Sequence, residues 1–436
     1  MYAELTALTD EERLIKETFH RFAEEVMRPA ARELDRMSPA ERIAPGSPYF
    51  EVTSRYRALG YHRSMLPTDD QEGGGAGAEI SALGQAVMLE ELGWGSLGLA
   101  TALGVSALPF ALLARFGTES LKERILPQWL AAEAQPGAVH LHGCWGATEP
   151  DHGSDFISWL RSPAKMGPAR AQVTATREGE EWILSGQKAA WVSSAPVATH
   201  CALHAQVAGG KHLEDGLLAF VPLDLPGVRK GPPVAMLGAR DDPQGELFFE
   251  SVRIPADHVL VAPGPFYPIF VDQLLCMTSA SIANIAVGLA RAAFEEALAF
   301  ARDRVQGGSV IAEHKNIQLT LYAMFEKVET ARSYARGALC HLRERTRGDV
   351  PLASPRHTRA AQIYAKRIAF EVAHDAVQVC GAYGLSEEAL VEKLFRDARS
   401  LLIEDGTLEV LALDASRDLI ANYEKSSYEL AGLSAA

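Results

Sequence analysis

A chain of 436 residues points to roughly three domains. Apolar residues make up 47% and charged residues 22%, which excludes collagen-like, disordered and coiled-coil classes. The balance of 42 basic against 56 acidic residues leaves a net charge of -14, so no broad nucleic-acid or anionic-membrane surface is expected.

The first third reads as helix. Thr9 with Glu12 forms a capping box, and Leu14, Ile15, Phe19, Phe22 and Val26 follow at helical spacing to about Leu34. The start of the chain is acidic from Glu4 onward, unlike a secretory or transit peptide. Residues 36–49 are rich in Pro and Ser and read as a loop, and glycines at 73, 74, 75 and 77 interrupt the chain again. Helical patterns then cover 79–94, 97–116 and 118–133. From 137 to about 261 strands and turns dominate. The run 172–184 alternates around a turn at Glu178–Gly179, and further strands are expected at 189–194, 199–207, 216–222 and 246–254. Beyond Pro265 long helical segments return at 268–304, 311–345, 355–382, 386–403 and 408–421. The first four suggest an antiparallel bundle. The expected organisation is a helical domain (1–136), a middle β domain (137–264) and a C-terminal helical bundle (265–436). No segment is expected to reach the ~18–20 apolar residues of a membrane span.

Cys144, Cys201, Cys276, Cys340 and Cys380 are widely and irregularly spaced, with no CxxC. Neither a zinc site nor a disulfide framework is indicated, no metal is expected, and free thiols in the cytoplasm are the default.

Four segments carry candidate chemistry. Trp145–Asp155 (WGATEPDHGSD) offers hydroxyls and close backbone approach at Gly153, as for a phosphate or a flavin edge; it also suits an ordinary polar loop. Gly186–Ser194 (GQKAAWVSS) sets an indole in a strand, either as core or as cover for a flat cofactor. Arg302–Gly307 ends a long helix with two cations, favoured by the helix dipole or used on a pyrophosphate. Asp405–Gly406–Thr407 breaks two helical patterns. It reads either as a plain turn or as a helix stop and cap that aim the Asp405 acid into a cavity.

Taken in order, these segments resemble the acyl-CoA dehydrogenase family over nearly the whole chain. ATEPDHGSDF (147–156) is similar to its TEPxxGSD loop, and MLGARDDPQGELFFESVRIPADHVL (236–260) to its LGxRxS strand pair. QVCGAYGLSEEALVEKLFRDARSLLIEDGT (378–407) is similar to its run ending in RDAR and EGT. The resemblance implies an α+β multidomain fold: an N-terminal helical domain, a middle β-barrel and a C-terminal four-helix bundle. It implies one FAD per subunit in a homotetramer or homodimer. The flavin loop falls on Trp145, Ala147, Thr148, Gly153 and Ser154, with Ser154 also facing the acyl-CoA. The ring-covering indole falls on Trp191, with Ser193 beyond it. Arg304, with Gln306 beside it, falls on the pyrophosphate of a neighbouring subunit's FAD. Gln378, Ala382, Thr407 and Glu409 fall on the adenine side. Asp405 takes the base position, with Gly406 beside it against the substrate.

The implied reaction is α,β-dehydrogenation of an acyl-CoA, with electrons passing to an electron-transferring flavoprotein. The base in most members is Glu; Asp is one methylene shorter and reaches about 1.5 Å less from the same backbone. A misplacement near 1 Å costs on the order of 100-fold in rate. Glu404 is a fallback base, and the family's second base position falls on Thr278, which has no acid. Positions that hold the CoA adenosine with Asp and Arg fall on Cys276 and Ser279. The His-Gln pair after the bundle's first helix reads His314–Lys315, and 36–49 and 160–171 look like insertions. These departures leave open a carrier-protein-bound substrate, or a non-oxidising elimination or desulfination on the same scaffold.

Overall fold

The computed structural model describes residues 5–66, 80–131, 141–156, 171–345 and 355–424. The glycines at 73–77, the expected domain boundary at 136/137 and nearly all of the expected insertion at 160–171 lie outside them.

The N-terminal helix starts as its sequence dictates. The Thr9 hydroxyl accepts from Glu12 N–H while the Glu12 carboxylate accepts from Thr9 N–H, capping α1 (Asp10–Phe22). A short π-helical stretch (Ala23–Met27) leads directly into α2 (Arg28–Arg36). The 36–49 segment departs from the expected loop. Ser38 and Glu41 form a second capping box on the one-turn α3 (Pro39–Arg42), and Ser47 caps α4 (Pro48–Ala58). Both helices carry Pro at the first turn, where its missing N–H costs nothing, so proline marks starts here rather than a loop. α5 (Ala82–Gly95), α6 (Leu97–Phe116) and α7 (Glu119–Ala131) complete the helical layer.

The middle region is one eight-stranded sheet. Its strands are β1 (Gly143–Gly146), β2 (Thr174–Glu178), β3 (Glu181–Ser193), β4 (His200–Val207), β5 (Gly216–Pro222), β6 (Val228–Lys230), β7 (Gln244–Pro255) and β8 (Val259–Val261). The order is β6-β7-β3-β2-β4-β5-β8, with β1 parallel on β4. The expected hairpin is β2–β3, turning through Gly179 in the left-handed region. β1, β6 and β8 are too short for an alternation pattern to reveal.

The bundle consists of α8 (Phe266–Asp303), α9 (Lys315–Arg345), α10 (Pro355–Cys380) and α11 (Leu390–Leu401), followed by α12 (Leu408–Asn422). A two-strand hairpin, β9 (Val305–Gln306) with β10 (Ser309–Val310), links α8 to α9. α8 lies at the centre, packed on α5, α9, α10 and α11. Its Ala-rich face from Ala283 to Ala301 joins Phe19, Leu92 and Leu99 in one core shared by the two helical layers. Contrary to the expectation that no segment is apolar enough for a membrane span, two helices among the described residues reach that length. Leu97–Phe116 and Phe266–Asp303 are each long and apolar enough to cross a bilayer, with mean hydropathy 1.9 and 1.5. The best window of each is 78% buried, so both serve as core helices of a large fold.

Candidate active site

The turn between α11 and α12 sets the site. Asp405 (φ 53°) and Gly406 (φ 96°) both lie in the left-handed region, which Asp tolerates better than most residues. The fully buried Gln362 on α10 donates through Nε2 to Asp405 Oδ2 (2.9 Å) and to its backbone oxygen (3.1 Å). One turn further, the fully buried Lys366 donates to the carbonyls of Glu404 and Gly406, the latter at 3.0 Å. One turn back, Arg359 donates to Ser279 Oγ and Leu275 O on α8 and pairs with Asp414 on α12. Thr278 reaches the Asp405 carboxyl from α8. Burial raises the Asp405 carboxyl above the usual range, while Lys366 and Arg359 oppose that rise. Thr407 stands at the N-cap of α12 but makes no side-chain cap; its N–H donates to Ser154 Oγ (3.1 Å). That bond joins the 147–156 loop to the turn.

Glu404 does not share this environment. Both its carboxyl oxygens are shut off from solvent without a hydrogen-bond partner, although its stem is partly exposed. Burial, then Asp242 nearby, push it up to about 8. Asp242 is itself pushed up to about 6 by burial, and accepts from Ser193 Oγ (2.6 Å) at the end of β3. A carboxyl raised on folding binds more protons native than unfolded, so stability falls as pH rises from its ordinary value of 4.5 to about 8. The Glu404→Gln protein is therefore expected to melt higher than wild type at pH 9, by on the order of 2 kcal/mol, with the gap closing toward pH 5. Thermal melts across that range check it, and parallel curves would exclude it.

β3 supplies the opposing wall. Ala189 N–H donates to Thr148 O (3.0 Å), and Lys188 pairs with Glu149 (2.7 Å) in a buried ion pair. This fixes Ala147, Thr148 and Glu149 against the strand, with Trp145 on β1 alongside. Trp191 is 58% exposed, which removes the reading of it as core. A Cβ built on Gly153 would meet nothing within 4 Å, so the loop leaves open space there. An accessible indole, a Ser193 hydroxyl whose proton goes to Asp242 and whose oxygen can accept, and an open loop tied to the acid turn make up a site that fits an isoalloxazine.

The other expected cofactor residues form a separate group. Arg304 follows the end of α8, exposed, with Nη2 donating to Gln306 Oε1 (3.4 Å). Phe300 stacks on Tyr383 (5.6 Å between centroids), bringing this end to the 381–385 turn that carries Ala382, with Gln378 exposed nearby. Arg304 lies 26 residues along from Thr278, about 39 Å at the helical rise. Glu409 is exposed on α12. Thus Trp145, Ala147, Thr148, Gly153, Ser154, Trp191, Ser193, Asp405, Gly406 and Thr407 gather on one side, and Arg304, Gln306, Gln378 and Ala382 at the far end. Cys276 and Ser279 are both buried, so neither faces solvent. Among the described residues no group of three or more His, Cys, Asp and Glu side chains converges as for a metal.

Sequence reading did not single out Arg359, Gln362 and Lys366. Their signal is present: polar residues at i, i+3 and i+7 fall on one helical face among Ala and Ile. Nothing in their own segment says what they face.

Residues 9–133, 144–252 and 271–420 match the N-terminal, middle and C-terminal domains of acyl-CoA dehydrogenase. A probable acyl-CoA dehydrogenase of Bacillus subtilis is 30% identical over 419 residues, covering 95% of this chain and 99% of its own. The mitochondrial short-chain specific acyl-CoA dehydrogenase of Rattus norvegicus is 28% identical over 418 residues, covering 95% and 92%. The butyryl-CoA dehydrogenase of Megasphaera elsdenii superposes with a TM-score of 0.80 at 24% identity, covering 96% and 100% of the two chains. A glutaryl-CoA dehydrogenase in complex with glutaryl-CoA gives 0.80 at 25% identity, covering 96% and 97%. The three domains, in this order and over this share of the sequence, make the chain a member of the FAD-dependent acyl-CoA dehydrogenase family.

Proposed function

We propose that the protein oxidises an acyl-CoA thioester to its 2-enoyl-CoA, with Asp405 as the base that takes the α-proton. The observation that carries this reading is a half-buried acid on a left-handed turn, tied through Thr407 and Ser154 to the 147–156 loop, whose Thr148 carbonyl accepts from Ala189 two residues before Trp191. FAD, when bound, supplies the acceptor for the β-hydrogen. Trp191, Ser193, Thr148, Ser154 and Gly153 would hold its ring system, with Trp145 and Ala147 behind the loop. Gly406 and the N-cap Thr407 precede α12, and Thr407, with Glu409 in the first turn, would line the adenine side.

An α-proton of a thioester is far too weakly acidic for a free carboxylate in water. Burial raises Asp405 toward the substrate, and the backbone N–H of Asp405 is assigned to polarise the thioester oxygen. The positive-φ turn and the Gln362 bond present the Asp405 carboxyl from a fixed backbone. Arg304 and Gln306 would serve the pyrophosphate, and Gln378 and Ala382 the adenine side, of a site completed by another copy of the chain. The distance of Arg304 along α8 from Thr278, which lies against Asp405, favours a homodimer or homotetramer. Electron-transferring flavoprotein is the assigned acceptor, and the cytoplasm the assigned compartment.

The test is a panel of short, branched, dicarboxylic and aromatic acyl-CoAs added anaerobically to the flavoprotein. At least one is expected to bleach the flavin within seconds, and the short-chain and glutaryl relatives set the first compounds to try. Product formed without bleaching and without an acceptor would favour the non-oxidising alternative. Turnover only with acyl groups on a carrier protein would place the thioester there.

A further inference from the structure

We propose that Lys366 and Gln362 on α10 are positioning residues for Asp405, Lys366 as a cation clasping the turn on both sides of it and Gln362 as the donor that fixes its carboxyl. The proposal rests on Asp405 being the base, and its own test does not.

Lys366 is an unusual side chain for its place. It sits in the interior of a bundle helix with no accessible surface. Burying an ammonium is expensive unless it is well partnered. Its hydrogen bonds go to the carbonyls of residues 404 and 406, one on each side of residue 405. Those two carbonyls flank and include a turn in which Asp405 and Gly406 both have positive φ, a conformation free for Gly but costly for a residue with a side chain. A single cation bridging the two fixes the peptide planes that flank the acid. Gln362, one turn away on the same face, bonds both ends of Asp405 and thereby sets its χ1 as well as its backbone.

The clasp also carries charge. The groups facing Asp405 are Lys366 and Arg359 from α10, Thr278 from α8, and Glu404 on its own turn; Asp242 and Asp397 lie beyond Glu404. Two cations against one neighbouring acid keep Asp405 from rising as far as burial alone would take it. Burial lowers Lys366 to about 8, still protonated at neutral pH. Arg359 is committed to Ser279, Leu275 and Asp414, which leaves Lys366 as the cation dedicated to the turn.

The test uses the full-length flavoprotein. The Asp405 carboxyl band is followed by infrared spectroscopy on ¹³C-aspartate-labelled protein without substrate, identified by its loss in Asp405→Asn. In Lys366→Gln, which keeps donors for the two carbonyls but no charge, the titration midpoint is expected to move to higher pH. The acid limb of anaerobic bleaching is expected to follow, so that the rate at pH 6 falls about tenfold more than at pH 9. Lys366→Met, which also removes the donors, is expected to lose a further ~10–100-fold at every pH. Lys366→Arg is expected to keep the wild-type midpoint. A carboxyl titration unmoved in both neutral variants overturns the proposal, as does a displaced one in Lys366→Arg if the neutral variants fail to fold. If Asp405→Asn itself still bleaches, the base assignment fails while the titration still decides the clasp.

Discussion

Asp405→Asn is expected to bind FAD and acyl-CoA as wild type does, yet to slow anaerobic bleaching by about 10²–10⁴-fold, the usual contribution of a positioned base. Asn is isosteric, keeps the acceptor for Gln362 Nε2, and tolerates positive φ as Asp does. The turn therefore survives and only the proton acceptor is lost. Rapid-scan absorbance with the best acyl-CoA of the panel gives the rate, and the flavin-to-protein ratio reports the site's integrity. Glu404 is the built-in control. It holds its proton near neutral pH and lacks a fixed orientation, so Glu404→Gln should leave bleaching within about threefold of wild type if Asp405 alone is the base. The reverse pattern, with Asp405→Asn active and Glu404→Gln dead, would move the base by one residue.

The second large effect concerns folding. Glu90 on α5 is 1% exposed and receives three guanidiniums, Arg291 from α8 and Arg332 and Arg336 from α9, at 2.8, 3.0 and 2.9 Å. Glu91 beside it takes a further bond from Arg291 at 2.5 Å. Burial pushes Glu90 up, but Arg332, Arg291 and Arg336 outweigh it and hold the carboxyl well below its usual range. A depressed carboxyl contributes stability that is present above its ordinary value of 4.5 and is lost as pH falls through the folded value. Glu90→Gln leaves three cations facing one another at the junction of α5, α8 and α9. The expected cost is about 3–5 kcal/mol, as for other broken buried pairs. Differential scanning fluorimetry at pH 7 should show a fall of about 3–5 °C for a chain of this length. The wild-type advantage over Glu90→Gln should shrink below pH 4. A change under 2 °C would mean that the existing pairs of Arg291 with Glu91 and Arg332 with Glu329 suffice to hold the arginines.

Much of the fold was legible because long elements announce themselves. α8 and α10 follow the helical period over more than twenty residues, and the alternation around Gly179 marks the β2–β3 hairpin. What was missed is short or conditional. β1, β6 and β8 owe their existence to neighbours across the sheet, and α3 and α4 were hidden by prolines that begin helices as readily as they mark loops. The site divides the same way. Asp405, Ser154 and Trp191 sit in segments whose pattern is distinctive. The partners of the turn come from a distant stretch of α10, and no local spacing connects Lys366 to a carbonyl of residue 406. Thr407 shows the limit from the other side. Its position as a helix cap is right, yet its contact is to Ser154, two hundred and fifty-three residues earlier.

The handedness of the backbone at position 405 limits what mutation can do there. Asp and Asn are among the few side chains that accept this twist; bulkier or branched residues resist it. One nucleotide change would turn the aspartate codon into a glutamate codon, and the longer acid would then inherit a bend suited to the shorter one, with its tip carried past the amide that now steadies it. Chain length of the acid and curl of the main chain are thus a linked pair of traits, and a lineage that exchanges one has reason to exchange the other in step.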